Sequence, residues 1–220
     1  MPPSSPPANQ PSDLELAALV SSRICHDIIN PVGAIVNGLE MLDEEDDPKA
    51  RDYALHMIRN VTEQASARLK FARLAYGANK SAGDSIDLKM AEEVSRDLLN
   101  LGKGQSKHTL NWRAPVGYLP KDQIKLLLNL VALAVTALPK GGDIDVLVTP
   151  DLAKPGFLVR CRGNGARPPQ YLPEFLVAGA APAVDSMTVQ AYFAVRIAQA
   201  AGMKIEIVRE ASDIVLAARA

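Results

Sequence analysis

Three polar side chains in the run Ser22-Arg23-Ile24-Cys25-His26-Asp27-Ile28-Ile29-Asn30-Pro31 can act together on a reacting group. A neutral imidazole is a nucleophile at physiological pH. An adjoining acid can accept the Nδ1–H of that ring, and an amide one turn along can donate to phosphoryl oxygens. His26, Asp27 and Asn30 therefore point to phosphoryl chemistry, with His26 as carrier, Asp27 orienting the ring and Asn30 positioning the group. Of the three histidines, only His26 has an acid next to it and an amide one helical turn on. His56 is expected to point outward without a role, and His108 to open a strand away from the helices.

The segment around these residues carries helical periodicity. Leu14, Ile28, Ile35 and Leu42 fall on one heptad row, with Ser21 the polar member, and Ala18, Cys25, Val32 and Leu39 fall on the next. This spacing predicts a helix over about 14–42 with a core-facing stripe. His26 lies off the stripe, where a side chain meets solvent. Pro31 cannot donate to the carbonyl of Asp27, so a kink or loosened turn is expected below the histidine. Ser22, Ile29, Gly33, Val36, Asn37 and Glu40 share the His26 face and form the predicted surface for a docking partner.

The string H-D-x-x-N-P, here His26-Asp27-Ile28-Ile29-Asn30-Pro31, resembles the H-box of sensor histidine kinases. In that family the phosphorylated helix is followed by a second one. Here Pro48 opens a predicted helix over 48–77, after the acidic run from Asp43 to Asp47. Tyr53, Met57, Val61, Ala65, Arg68, Ala72 and Ala75 recur at three or four residues, widened by Ile58 and Leu69, and Gly77 is the expected stop. A hairpin of two long amphipathic helices cannot cover both apolar stripes by itself. Pairing two copies into a four-helix bundle covers them, so a homodimer is expected.

The chain has 220 residues and a formal net charge of -1, which gives no electrostatic reason to expect nucleic acid or an anionic membrane as partner. Apolar runs stay short of membrane-spanning length. Cys25 and Cys161 read as reduced core thiols, which suits a cytoplasmic protein. Residues 1–12 are Pro- and Ser-rich and read as a disordered tail, from which Ser12 or Asp13 can cap the first helix. The organisation expected is a tail over 1–12, a helical hairpin over 13–78, a small polar linker over 78–85, and an α/β domain over 84–220.

Past the linker the periodicity changes. Strands are predicted near 86–88, 110–114, 144–148, 157–161, 203–209 and 213–219. Helices are predicted over 90–101, 121–138 and 187–201, with a loop-rich stretch at 163–186. The fold class expected is α+β: a hairpin forming a dimeric bundle, then an α/β sandwich with helices on one face of a mixed sheet. The element order resembles the ATP-binding domain of histidine kinases.

The motifs with which that family holds ATP are eroded. Its N-box, approximately L-x-N-L-x-x-N-A, corresponds to Leu127-Leu128-Asn129-Leu130-Val131-Ala132-Leu133-Ala134. Leu133 stands where the magnesium-binding Asn is expected and offers no oxygen to a hard cation. The D-x-G-x-G box corresponds to Cys161-Arg162-Gly163-Asn164-Gly165, with a thiol in place of the adenine-binding acid. The last glycine box corresponds to Asp185-Ser186-Met187-Thr188-Val189-Gln190 and holds no glycine. The lid region is rich in proline, with few cations to grip phosphate. Three independent losses argue against ATP.

A histidine motif on a bundle, joined to a kinase-like domain without its ATP motifs, resembles the ChpT family of histidine phosphotransferases. That resemblance implies relay from a receiver-domain aspartate of a hybrid histidine kinase, through His26, to response regulators of the CtrA and CpdR type. It implies no cofactor of the protein's own, with magnesium supplied by the receiver. Two alternatives stay open: an active histidine kinase with a divergent ATP site, and a noncatalytic dimeric adaptor.

Overall fold

The computed structural model describes residues 10–44, 46–77, 84–100, 107–178 and 182–220. Two long helices open the chain, α1 (Asp13–Glu44) and α2 (Pro48–Tyr76), packed as an antiparallel hairpin. Local chemistry sets their ends. The Glu15 carboxylate accepts from the Ser12 amide at 2.8 Å, and the Ser12 hydroxyl accepts from the Glu15 amide at 3.3 Å. This reciprocal pair satisfies amides that the first turn leaves unpaired. Asp47 caps α2 by accepting from the Lys49 amide, Pro48 follows it, and the Gly77 amide closes the last turn on the Arg73 carbonyl.

The remaining elements are β1 (Ser85–Asp87), α3 (Leu88–Leu99), β2 (His108–Arg113), β3 (Tyr118–Pro120), α4 (Lys121–Ala137), β4 (Gly142–Val148), β5 (Phe157–Arg162), α5 (Leu172–Leu176), α6 (Val189–Ala200), β6 (Lys204–Glu210) and β7 (Asp213–Arg219). The main sheet has the order β2-β4-β5-β7-β6. Strands β2 and β4 run parallel and the other neighbours antiparallel. A two-stranded ribbon pairs β1 with β3. One face of the sheet sends Ile144, Val146, Phe157, Val159, Ile214 and Leu216 into the core beneath α4 and α6. The opposite face is laced with charge: Arg162 meets Asp145 at 3.0 Å and Arg160 meets Glu210 at 2.7 Å. Such a face is solvated and needs no second layer.

The core does not stop at the sheet domain. Phe71, Leu74 and Ala75 at the end of α2 belong to the same apolar cluster as the buried side chains of α4 and α6. The Tyr76 ring packs on Phe193 with centroids 5.3 Å apart, and Arg196 of α6 reaches Asp13 of α1 at 3.6 Å. The α/β unit is thus seated on the start of α1 and the end of α2, close to the middle of α1, where His26 lies.

Several expectations need correction. Helix α1 is continuous through Pro31, and its buried residues are Pro31 and Gly38. A Cβ on Gly38 would come within 2.6 Å of Ile58, so glycine permits the close approach of the helices. Ala18, Cys25, Val32 and Leu39 are exposed in the single chain, and Leu14 more so; Cys25 is not a core thiol there. On α2, Tyr53 and Leu69 are exposed, while Phe71 and Leu74, outside the predicted stripe, are buried under the α/β unit. Strand β3 and the short helix α5 were not expected, and α3 begins two residues earlier. The expected tail lies outside the described residues over 1–9, and the linker over 78–83. Asp84 is a turn residue and Ser85 already begins β1.

Candidate phosphoryl-transfer site

The His26 side chain is 75% exposed, halfway along α1. Asp27 Oδ1 lies 3.5 Å from His26 Nδ1, at the long end of hydrogen bonding. Neighbouring residues on a helix diverge by about 100°, so this contact needs the ring to turn toward the acid. The other carboxylate oxygen, Oδ2, accepts from Arg23 Nε at 3.2 Å. Asp27 is therefore shared between an imidazole one residue back and a guanidinium one turn back. Arg23 had no place in the expected site. Its i, i+4 spacing to Asp27 was the signal available in the sequence. Asn30 is exposed one turn on from His26.

The predicted docking face is accessible. Ser22, Ile29, Gly33, Val36, Asn37 and Glu40 are all exposed, Ile29 at 66% and Val36 at 48%. A Cβ on Gly33 would meet nothing within 4 Å, so the groove between the two apolar side chains is open.

On the other flank of Asp27 a cavity of about 370 Å³ separates the hairpin from the α/β unit. Arg23, Ile28, Arg68, Tyr76 and His108 are among its walls. His108 is thus not away from the helices: the parallel pairing of β2 with β4 carries its first residue to the cleft beside α1. Burial, helped by the Lys107 charge, pushes its imidazole below the usual histidine range. Burial likewise pushes the Tyr76 phenol up to about 12; the Arg23 charge works against that shift and the Asp27 charge with it. His56, by contrast, sits on the exposed side of α2 with Asp52 at 3.7 Å.

The positions that match the ATP motifs are occupied by packing. Leu133 and Cys161 are both buried in the main core. Burial is the main reason that the Cys161 thiol is pushed up to about 12, with Asp213 and Asp145 adding to it. Asn129 is fully buried and donates to the carbonyls of Lys125 at 2.9 Å and Ala75 at 3.4 Å. Gly163 is retained for a structural reason, since a Cβ there would run to 2.5 Å from the Gly141 carbonyl. Just before α6, where the sequence comparison put the missing glycine box, Asp185 occupies backbone amides. Its carboxylate accepts from the amides of Met187 at 2.8 Å and Thr188 at 2.9 Å, and those bonds hold it below the usual carboxylate range.

Comparison with known proteins agrees with this picture. Residues 88–213 match the family model of the histidine phosphotransferase C-terminal domain. Protein phosphotransferase ChpT of Brucella abortus (strain 2308) is 42% identical over 210 residues, covering 94% of this chain and 96% of that protein. The 1.7 Å structure of a bacterial phosphotransferase superposes with a TM-score of 0.86 at 40% identity, covering 96% of this chain and 98% of that one. A matching family model, and relatives this similar over nearly their whole length, place the chain plainly: it belongs to the ChpT-type histidine phosphotransferases, the protein phosphotransferases of two-component phosphorelays.

Proposed function

We propose that His26 is the phosphoryl carrier, loaded from the receiver-domain aspartyl phosphate of a hybrid histidine kinase and discharged onto the receiver aspartate of response regulators of the CtrA and CpdR type. The observation that carries this reading is the exposed imidazole of His26 with Nδ1 turned to Asp27, which leaves Nε2 for attack on phosphorus. Transfer between two acyl phosphates through a phosphoramidate needs little covalent chemistry from the protein beyond placement and charge compensation. Magnesium belongs to the receiver in this scheme, and the chain brings no cofactor of its own. Ile29 and Val36, with Gly33 open between them, suit a receiver helix lying along α1, with Ser22, Asn37 and Glu40 at its polar border. Such an interface is small and transient.

The carrier acts as a homodimer in this reading. The exposed apolar row Ala18, Cys25, Val32 and Leu39 on α1, with Leu55 and Leu69 on α2, is the kind of surface that a second hairpin covers in a four-helix bundle. No helix among the described residues is long and apolar enough to cross a membrane. Receivers act in the cytoplasm, and the carrier is placed there with them. Nucleic acid and membrane have no part in the scheme.

The test is to incubate the protein with a phosphorylated receiver and measure acid-labile phosphate on it. The wild type takes up label and His26→Ala takes up none, while thermal unfolding of the variant stays within about 0.5 kcal/mol, as for other exposed substitutions. Label on His26→Ala would overturn the assignment. The competing reading as an active kinase is tested by calorimetry with ATP and magnesium. Leu133 and Cys161 inside the core, and Asp185 on the amides at the head of α6, support a dissociation constant no tighter than millimolar.

A further inference from the structure

We infer that Arg23 is a positioning residue for phosphoryl transfer, acting through Asp27 to hold His26 in the tautomer that keeps Nε2 free. The inference rests on His26 as the carrier and adds the residue that sets its tautomer.

The geometry is a three-residue chain in which one carboxylate divides its two oxygens. Oδ2 accepts from Arg23 Nε at 3.2 Å, and Oδ1 faces His26 Nδ1 at 3.5 Å. An exposed imidazole populates both neutral tautomers, and its partner decides between them. A carboxylate can only accept, so Asp27 selects the Nδ1–H form. The lone pair then sits on Nε2. An aspartate side chain on a helix surface has its own rotamers, and a free one would hold the ring only part of the time. Arg23 removes that freedom. Its side chain is 29% exposed and its stem forms part of the cleft wall with Ile28, Phe71 and Tyr76, so the guanidinium arrives with its own position set.

Helix stability is a weak reason for the pair. This order, in which the base comes first, is the weaker of the two i, i+4 arrangements for helix stability. Other charges near the cleft do not substitute. Arg68 from α2 and Lys107 beside β2 line the same cavity, yet among the described residues Asp27 pairs with Arg23 and His26. The Tyr76 phenol, which burial pushes up to about 12, brings no charge to the cleft.

In the transfer step the Nε2 lone pair forms a bond to phosphorus. The bond from phosphorus to the receiver's carboxylate oxygen breaks, and its electron pair returns to that carboxylate. The ring gains positive charge while Nδ1–H is still in place, and that proton points at Asp27. The same carboxylate that selects the tautomer thus meets the charge that develops, with no further reactant involved.

The experiment compares Arg23→Gln, Arg23→Lys, Asp27→Asn and the double variant Arg23→Gln/Asp27→Asn in the full chain. Two quantities are read: the ¹⁵N shifts of the His26 ring, which report the tautomer, and single-turnover uptake from a phosphorylated receiver over a range of receiver concentrations. Arg23→Gln is expected to raise the Nε2–H tautomer and slow the maximal rate roughly tenfold, as for a small misplacement of a reacting group, with half-saturation unchanged. Arg23→Lys is expected to restore most of both. The double variant is expected to be no slower than Asp27→Asn, because the two changes break one chain. Unchanged tautomer in Arg23→Gln, or a defect confined to half-saturation, would overturn the inference and leave Arg23 a docking contact. Label arriving on His26→Ala overturns the carrier assignment instead, so the two failures are distinguishable. Arg68→Gln, a cleft cation without this contact, is the control expected to change neither quantity.

Discussion

The side-chain amide of Asn129, in the middle of α4, donates to the main-chain carbonyl of Ala75, 3.4 Å away near the end of α2. Ala75 is one of the last residues of its helix, where carbonyls lack a partner in the following turn. A residue that matches the first Asn of the kinase N-box thus ties the α/β unit to the hairpin that carries His26. Both residues are fully buried. Asn129→Ala is expected to lower stability by about 1–3 kcal/mol, the usual effect of leaving a buried partner unsatisfied. Urea unfolding followed by circular dichroism measures this. An unchanged midpoint would show that the bond contributes nothing to docking.

The exposed row on α1 gives a separate prediction about assembly. Val32 and Leu39 are 46% and 49% exposed in the single chain, so a charge there does not disturb its core. Leu39→Glu is expected to weaken association by roughly 2–4 kcal/mol through burial of an unpaired carboxylate. Sedimentation at micromolar concentration is expected to show a dimer for the wild type and a monomer for the variant, each with native circular dichroism. A monomeric wild type would remove the four-helix bundle from the scheme.

Asp27 and Asn30 are expected to differ in what they do for the transfer. Asp27→Asn keeps the size of the side chain but weakens it as an acceptor for Nδ1–H. Its expected cost is about 10–100-fold in the rate of uptake, less than loss of His26, because an acyl phosphate is reactive on its own. Asn30 lies exposed one turn on, and Asn30→Ala is expected to act on placement of the phosphoryl oxygens or on hydrolysis back through a receiver. Rapid-quench uptake and phosphohistidine lifetime, measured on both variants, separate the two roles. Equal effects on both quantities from either variant would contradict this division.

Asp185 predicts a pH dependence. Its carboxyl is held below the usual carboxylate range, first by the Thr188 amide, then by the Met187 amide and the Thr188 hydroxyl. A carboxylate whose folded pKa is depressed adds stability above its unfolded value, here 3.8, and that stability is lost as pH falls through the folded value. Asp185→Asn is therefore expected to lower the melting temperature at pH 7, and the difference is expected to shrink below pH 4. Scanning calorimetry between pH 2.5 and 7 checks the sign. A gap that widens toward acid would show that the cap at the head of α6 does not depend on the charge.

Much of this protein is written locally. The H-D-x-x-N-P string, the amphipathic spacing over two long helices, the caps at Ser12 and Asp47, and the alternation in β4, β5 and β7 all act within a few residues. They can be read because helix and strand periodicities are properties of the backbone. The exposure of His26 followed from the same geometry. Leu133 and Cys161 stood out only through the resemblance to the kinase motifs, and both lie in the core.

Tertiary structure decided what covers each apolar face, and periodicity carries no information about that. An apolar stripe on α1 is equally compatible with α2, the α/β unit or a second copy. Packing buried Pro31 and Gly38, the latter against Ile58 of α2, and it left Val32 and Leu39 outside. Phe71 and Leu74 are buried because α4 and α6 of a domain distant in sequence cover the end of α2. His108 reaches the cleft beside Asp27 only through the parallel pairing of β2 with β4. Residue types and spacing point to the chemistry expected at His26, and the i, i+4 spacing of Arg23 and Asp27 is local too; only long-range packing brings Tyr76 and His108 to the cleft beside Asp27, because those contacts join segments whose separation along the chain no local pattern encodes.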